Sequence, residues 1–207
     1  MVGSRYRLEV RLLKPAVFAA CLIPLGLLLW RGFTGDLTAN PIEYITHRTG
    51  DWTLRLLLIT LAITPLRRLT GWNAVIRLRR MLGLFAFFYG SLHFLTYVVL
   101  DHFFALESIL EDLTDRRFVT AGFTGFVLMI PLAITSTQAM VRRIGGKRWQ
   151  ALHRLVYVSA CAGVIHYLWL VKADLRPPLL YAAVLALLLG YRLWHYWQRV
   201  QSRSQAP

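Results

Sequence analysis

The 207-residue chain is too apolar for a soluble domain of its length. It is 57% hydrophobic and only 16% charged, whereas soluble domains average roughly 45–50% apolar and about 25% charged residues. This composition excludes a disordered chain, a collagen-like repeat and a disulfide scaffold. In a soluble protein the net charge of +14 would suggest nucleic acid as a partner, but in a membrane protein it marks cytoplasmic loops. We therefore expect membrane lipid around the chain and no nucleic acid partner.

Six segments are apolar and long enough, or nearly so, to cross a bilayer, which takes about 17–25 residues. They are Pro15–Trp30, Trp52–Leu66, Met81–Leu100, Phe118–Ser136, Ala151–Val171 and Pro178–Trp197. The first two are short and need flanking residues to cross, and the second carries Arg55, whose long side chain can reach the interface. No repeat and no soluble domain accompany these segments. The sequence predicts an all-α polytopic membrane bundle of six transmembrane helices in one domain, residues 1–207.

The charges of the connecting segments orient this bundle. With the N-terminus inside, the inner segments contain 17 basic residues and one acidic residue, and the outer segments contain 7 basic and 9 acidic residues. Positive charge resists translocation, so both termini are expected in the cytoplasm. The acidic run Glu107–Asp115 then belongs to an outer connection that is expected to be a loop or an interfacial helix, and the run is expected to be a solvated loop face.

Two of the six histidines lie deep inside apolar segments, where an ionisable residue is costly and suggests a functional site. His93 follows Met81 by 12 residues and His166 follows His153 by 13, which places both about 18–20 Å from the inner edge at 1.5 Å per residue. Both segments run from inside to outside, and two imidazoles at matched depth can ligate one haem iron from opposite faces. The alternative is a pair of core histidines with polar partners. The other histidines are expected in outer loops (His47, His102) and at the inner aromatic belt (His195).

The inner end of the fifth segment carries His153, about 20 Å below His166, which is far enough to place a second redox centre. On an ideal helix the two rings would point about 140° apart, so a bulge or kink would be needed. The third segment has Arg79 and Arg80 in place of a second histidine ligand. A centre with one histidine and a different second ligand is one interpretation, and a site where Arg79, Arg80 and Arg154 bind the phosphate or propionate of a flavin or haem is another. The third interpretation is a plain interfacial histidine.

The sequence contains no motif typical of hydrolysis or nucleotide binding. The chain contains no H-E-x-x-H, no G-x-S-x-G, no Walker loop and no Rossmann glycine pattern, which argues against hydrolysis and nucleotide chemistry. Every Asp and Glu lies at a segment edge or beyond it. Intramembrane acids mark proton relays in transporters, so their absence from the segments argues against a proton-coupled carrier.

Five stretches resemble a known family. Arg79–Leu84 (RRMLGL), Tyr89–Tyr97 (YGSLHFLTY), Leu152–Tyr157 (LHRLVY), His166–Lys172 (HYLWLVK) and Thr64–Arg67 (TPLR) are similar to the MsrQ (YedZ) family, which resembles the ferric-reductase transmembrane superfamily. The resemblance runs through nearly the whole chain. It implies a ferric-reductase-like transmembrane core at about residues 45–175, flanked by the first and last spans.

The resemblance also implies a function. It suggests a haem b subunit of the bacterial inner membrane that passes electrons from the quinone pool or a cytosolic flavin reductase to MsrP, a periplasmic molybdopterin protein that reduces methionine sulfoxide in oxidised proteins. The family's haem histidines map onto His93, His153 and His166, and family members are also associated with FMN. The chain would then be a non-catalytic electron-transfer subunit with one haem, or two, and possible FMN.

Two rival functions remain at this point. A quinol-oxidising cytochrome b subunit of another respiratory complex would share the haem but not the partner. A non-redox permease would keep the buried histidines as structural residues. An optical spectrum distinguishes a permease from both kinds of haem subunit, because only a haem protein shows a Soret band.

The charge asymmetry generates a topological prediction. Reporter fusions placed after Gly71 and Gly146 should report the cytoplasm, and fusions near Glu111 and Asp174 should report the outside, because positively charged loops stay on the inner side. A paired phosphatase and fluorescent-protein reporter at each position makes the measurement. The opposite pattern would overturn the topology and the inside-to-outside direction of electron flow.

Overall fold

The structure is a computed structural model that describes the backbone of residues 2–204 and the side chains of residues 11–202. Within these residues the chain is helical and contains no strand. The helices are α1 (Val2–Thr34), α2 (Pro41–Thr70), α3 (Arg79–Leu95), α4 (Leu106–Asp115), α5 (Arg117–Ile134), α6 (Gln138–Ile144), α7 (Gly146–Leu152), α8 (Leu155–Leu170) and α9 (Arg176–Ser204). A 3₁₀ turn, Asn73–Leu78, leads into α3, and a π-helical turn, Thr96–Asp101, continues it. The predicted all-α class is confirmed.

In the part of the chain that the structure describes, five helical stretches are long and apolar enough to cross a membrane, as expected of a membrane protein. They are Arg11–Thr34, Asn73–Asp101, Arg117–Ile134, Gly146–Leu170 and Arg176–Ser202. Each contains most of one predicted segment. The remaining predicted segment, Trp52–Leu66, lies inside α2, which is not among the five. Charged side chains at Asp51, Arg55, Arg67 and Arg68 surround and interrupt its apolar run, which lowers its average hydropathy although the helix has 30 residues.

Two helix pairs form the centre of the bundle: α2 packs along α3, and α5 packs along α8. Helix α9 contacts α8 and α2, while α1 contacts α3 and the turn before it. Small residues allow the close approaches, as is usual between membrane helices. Ala86 and Ala160 are fully buried, and the Ser159 hydroxyl of α8 donates to the Gly125 carbonyl of α5 at 2.8 Å. His93 and His166 therefore lie on the second helix of each pair, α3 and α8, and the two pairs are adjacent.

Helix α1 contains a proline, and a tyrosine from α3 repairs the resulting gap. Near Pro24, the Tyr89 hydroxyl donates to the Cys21 carbonyl at 2.7 Å and accepts from the Leu25 amide at 3.1 Å. An unbroken helix would pair these two backbone groups with each other. Side chains commonly satisfy backbone groups freed in membrane helices. Tyr89, only 1% exposed, thereby fixes α1 against α3.

The outer connection after α3 is ordered by one buried acid. The run Glu107–Asp115 lies in helix α4, and its Glu107, Glu111 and Asp115 are exposed, as predicted for a solvated face. Its Asp112 is buried and contacts His102 Nε2 at 3.2 Å, Arg116 Nε at 3.1 Å and the Tyr97 hydroxyl at 3.3 Å. These three contacts of one buried acid hold α4 against the turn that follows α3. The charge pattern alone did not indicate them.

Candidate functional site

His93 of α3 and His166 of α8 face each other between the two central helix pairs. Their ring centroids lie 6.0 Å apart, and the ring planes are inclined at 78°. Both histidines lie inside stretches that are long and apolar enough to span a membrane. The structure therefore brings together the two residues that the sequence placed at matched depth.

Each imidazole is held by a backbone carbonyl of the partner helix in its pair. His93 Nδ1 lies 2.9 Å from the Thr46 carbonyl oxygen of α2, and His166 Nδ1 lies 2.7 Å from the Phe118 carbonyl oxygen of α5. A carbonyl only accepts, so in both rings Nδ1 must carry the proton. The lone pair then stays on Nε2, the nitrogen with which a histidine fixed in this way can ligate a metal.

Two glycines make room for these hydrogen bonds. Gly50 follows Thr46 by one helical turn, and Gly122 follows Phe118 by the same distance. A Cβ atom on Gly122 would lie 2.6 Å from His166 Nδ1, and one on Gly50 would lie 3.1 Å from His93 Nδ1. Any larger residue would thus push the ring away from the helix backbone that orients it.

The same arrangement occurs in both helix pairs. The acceptor carbonyl precedes its histidine by 47 residues in the first pair and by 48 in the second, and a glycine follows each acceptor by four residues. Sequence analysis missed Gly50 and Gly122 because it found no repeat. A glycine at nearly constant distance before each intramembrane histidine was the available signal.

The separation of the two rings fits a shared metal ion. Two imidazole–metal bonds of about 2 Å each, with each nitrogen about 1 Å from its ring centre, place the ring centres about 6 Å apart. The observed separation of 6.0 Å is compatible with one metal ion bound by both imidazoles. Haem iron is a metal group that such a pair of histidines could hold inside an apolar bundle.

A second site lies at the other end of the same four helices. A cavity of about 350 Å³ opens between α2, α3, α5 and α8, and Arg79, Arg80, Trp149 and His153 are among its lining residues. Its volume falls in the range of ligand pockets, roughly 300–1,000 Å³. Two of the predicted arginines and the predicted inner histidine therefore meet at one cavity. The third arginine, Arg154, is exposed and is not among the lining residues.

His153 lies in a break of the helix. Helix α7 ends at Leu152 and α8 begins at Leu155. The helix is therefore interrupted at His153, as a second redox centre at this residue would require. The Trp149 ring stacks on the His153 ring with centroids 3.8 Å apart. Thr135 Oγ1 donates to the Pro131 carbonyl at 2.6 Å, so it accepts from His153 Nε2 at 3.0 Å. The lone pair of His153 is therefore on Nδ1, unlike that of His93 and His166.

The remaining histidines contribute no side chain to either site, although His47 directly follows Thr46, whose carbonyl bonds His93. His47 is exposed, as predicted for an outer loop residue, although it lies in α2. His195 is half-buried beside Tyr191, with the two ring centroids 4.5 Å apart. His102, predicted on the surface, instead bonds Asp112 and the Ser108 hydroxyl.

The chain is similar to known membrane proteins. Residues 49–164 match the family described as the ferric reductase like transmembrane component, so this is a ferric-reductase-like membrane protein. A protein of Herminiimonas arsenicoxydans is 55% identical over 96% of this chain and 91% of its own length. Proteins of Ralstonia nicotianae and Rhodospirillum rubrum are each 53% identical over 92% of this chain, and over 88% and 92% of their own lengths. All three are named protein-methionine-sulfoxide reductase heme-binding subunit MsrQ.

The chain belongs to the MsrQ family. The resemblance inferred from the five sequence stretches is thereby confirmed. The ferric-reductase-like match includes both of the glycines and His93 and His153, and it ends at residue 164, just before His166.

The glycines generate a prediction about packing. Gly122→Ala should destabilise the protein by about 1–3 kcal/mol, because its Cβ would lie 2.6 Å from His166 Nδ1 and would push the ring away from the Phe118 carbonyl. Gly50→Ala should have a smaller effect, since its nearest contacts are at 3.1 Å. Thermal unfolding of the purified protein in detergent provides the measurement.

The matched control is Gly26→Ala, whose Cβ meets nothing within 4 Å and which reports only the gain in helix propensity, about 1 kcal/mol. Equal melting temperatures for Gly122→Ala and Gly26→Ala would contradict the close approach of His166 to α5.

Proposed function

We propose that this protein is a haem b membrane subunit that carries electrons across the bilayer to a methionine sulfoxide reductase. The observation that carries the proposal is the His93–His166 pair, with ring centroids 6.0 Å apart and both Nε2 lone pairs available. The names of the relatives, heme-binding subunits of protein-methionine-sulfoxide reductase, support it. A bound haem supplies one-electron transfer between its ferric and ferrous states.

His93 and His166 would hold the haem iron through their ring nitrogens. The carbonyls of Thr46 and Phe118 keep the correct tautomer, and their hydrogen bonds raise the basicity of the ligating nitrogens. Because both acceptors belong to helix backbone, the rings are fixed before any haem arrives. Gly50 and Gly122 permit this fixing, so we include them among the positioning residues.

The inner cavity would hold a second redox group, either another haem b or FMN. His153, Arg79 and Arg80 line it, and guanidinium groups suit the carboxylates of haem and the phosphate of FMN alike. A haem ligated by His153 would use Nδ1, or Nε2 after the Thr135 hydrogen bond breaks. Since Arg154 is exposed, we do not include it in this set.

We further propose that α2 is a sixth span and that both termini are cytoplasmic. The charges of α2 have partners that lower the cost of crossing: Arg55 donates to the Tyr181 hydroxyl at 2.8 Å and lies 3.6 Å from Asp51. In the bacterial inner membrane the cavity would then face the cytoplasm, where quinol or a cytosolic flavin reductase donates electrons. The His93–His166 site would face the periplasmic side, where a molybdopterin protein of the MsrP kind accepts them.

Removing either axial ligand tests the haem assignment. His93→Ala or His166→Ala should lower the haem bound per protein by about tenfold or more, because each imidazole supplies one of the two bonds from protein to iron. Haem is quantified as its pyridine complex on purified full-length protein. His195→Ala, at a histidine that packs beside Tyr191 and belongs to neither site, is the control and should retain haem. Wild-type haem content in a folded His93→Ala or His166→Ala variant would refute the assignment.

The inner site is tested by kinetics. His153→Ala should slow reduction by an added reduced flavin, and it should leave the spectrum of the His93–His166 haem in place, because it acts about 20 Å away. The combined Arg79→Ala and Arg80→Ala variant should lower occupancy of the second group. Stopped-flow spectroscopy and cofactor quantification on the same preparations provide the measurements. A wild-type reduction rate with unchanged cofactor content in His153→Ala would leave His153 as an interfacial residue.

A further inference from the structure

A proline in α2 leaves one backbone carbonyl without its helical partner. Pro65 lies inside α2 and has no N–H, so the carbonyl of Leu61, four residues earlier, cannot form its usual bond. Arg192 of α9 takes that place, and its Nη2 atom donates to the Leu61 oxygen at 2.7 Å. The Arg192 guanidinium also lies over the Tyr157 ring, 5.2 Å from its centroid. Arg192 is therefore drawn into the bundle by a defined backbone acceptor.

Two buried polar atoms at this point have no partner. Among the described residues, the buried side-chain nitrogen and oxygen atoms without a hydrogen bond are Arg192 Nη1 and Thr64 Oγ1. Thr64 follows Leu61 by three residues and shares its helix surface. Buried polar groups are nearly always paired with protein or with a bound molecule. Arg192 also contacts Tyr157, yet its Nη1 atom stays unpaired. An unpaired cationic donor, and an unpaired hydroxyl one turn from the Leu61 carbonyl that the same arginine bonds, point to a ligand with acceptor oxygens.

This spot adjoins the inner cavity. Thr64 follows Thr60 and Leu57 by four and seven residues on α2, and both of those line the cavity; residues so spaced share one helix face. Thr64 and Arg192 are not among the lining residues of the cavity. Helix spacing places Thr64 one turn beyond Thr60 on the same face of α2, so its hydroxyl lies next to the end of the cavity.

The local charge is positive and uncompensated. Arg79 lines the cavity, and Arg68 follows Thr64 by one turn on α2, so two further cations lie on the elements next to Arg192. In the part of the chain that the structure describes, none of these three arginines forms an ion pair with an acidic residue. Clustered guanidinium groups repel one another at close range. An anion with several oxygens would relieve that repulsion and satisfy the free donors.

We propose that Arg192 and Thr64 form an anion pocket at the end of the inner cavity and bind the phosphate or carboxylate group of the cofactor there. The inference rests on the proposed function in one respect, namely that the cavity holds a redox cofactor. Arg192 is assigned two tasks: Nη2 replaces the missing amide at Pro65, and Nη1 binds the anion. Thr64 donates its hydroxyl proton to the same anion.

Two variants separate anion binding from a purely structural role. Thr64→Val keeps the shape and removes only an unpaired hydroxyl, while Arg192→Lys keeps one donor for the Leu61 carbonyl and removes the second. Arg199→Gln, at an exposed arginine of the same helix, is the matched control. For each full-length protein purified in detergent, haem, acid-released flavin and lipid phosphorus per protein are measured.

We expect Arg192→Lys to lower occupancy of the second redox group about tenfold and Thr64→Val about threefold, with Arg199→Gln unchanged, since bonds to charged groups are the stronger ones. Were Arg192 and Thr64 merely structural, Thr64→Val would bind cofactor as the wild type does. Unchanged occupancy in both variants overturns the proposal. So does a loss of lipid phosphorus alone, which would assign the anion to a phospholipid.

Failure of the inference is distinguishable from failure of the proposed function. Wild-type protein that contains one haem and no second redox group would overturn the anion pocket and leave the His93–His166 assignment standing. Wild-type protein without any haem would overturn the proposed function itself.

Discussion

The hydrogen bond from each intramembrane imidazole to a helix carbonyl is the interaction on which the site depends. Inside an apolar bundle a protonated imidazole is costly, and a neutral one still has two possible tautomers. The contacts of His93 with the Thr46 oxygen and of His166 with the Phe118 oxygen, at 2.9 and 2.7 Å, select the same tautomer twice. Both Nε2 lone pairs are thereby left to one shared site.

Packing between helices in this protein repeatedly provides hydrogen-bond partners for backbone polar groups. Gly50 and Gly122 bring the two rings against helix backbone, whereas Pro24 and Pro65 each open a helix that a side chain from another helix then closes. Tyr89 bridges the gap in α1 and Arg192 the gap in α2. Because bilayers offer no water to free amides and carbonyls, these contacts fix how the helices pair, and through that pairing they fix the positions of the histidines and arginines.

Much of the site could be predicted from the sequence, because its signals are local. Deep histidines in apolar segments pointed to His93 and His166, and similar depth placed Arg79 and Arg80 near His153, with which they line one cavity. Contacts between distant helices could not be read in this way. Periodicity gives no indication that Arg192 reaches the Leu61 carbonyl, 131 residues away, or that Asp112 organises α4. Arg154 was grouped with Arg79 and Arg80 by depth alone, and a helix break beside it leaves it exposed.

The claim that His93 and His166 ligate a single iron is tested most directly by electron paramagnetic resonance of the oxidised, purified protein. Two axial imidazoles produce low-spin ferric haem. Ring planes inclined at 78° should further produce the strongly anisotropic low-spin signal of crossed imidazoles, rather than the rhombic signal of parallel ones. The predicted result is that anisotropic low-spin signal, lost in His93→Ala and in His166→Ala. A high-spin ferric signal as the main species of the wild-type protein would contradict ligation by both histidines.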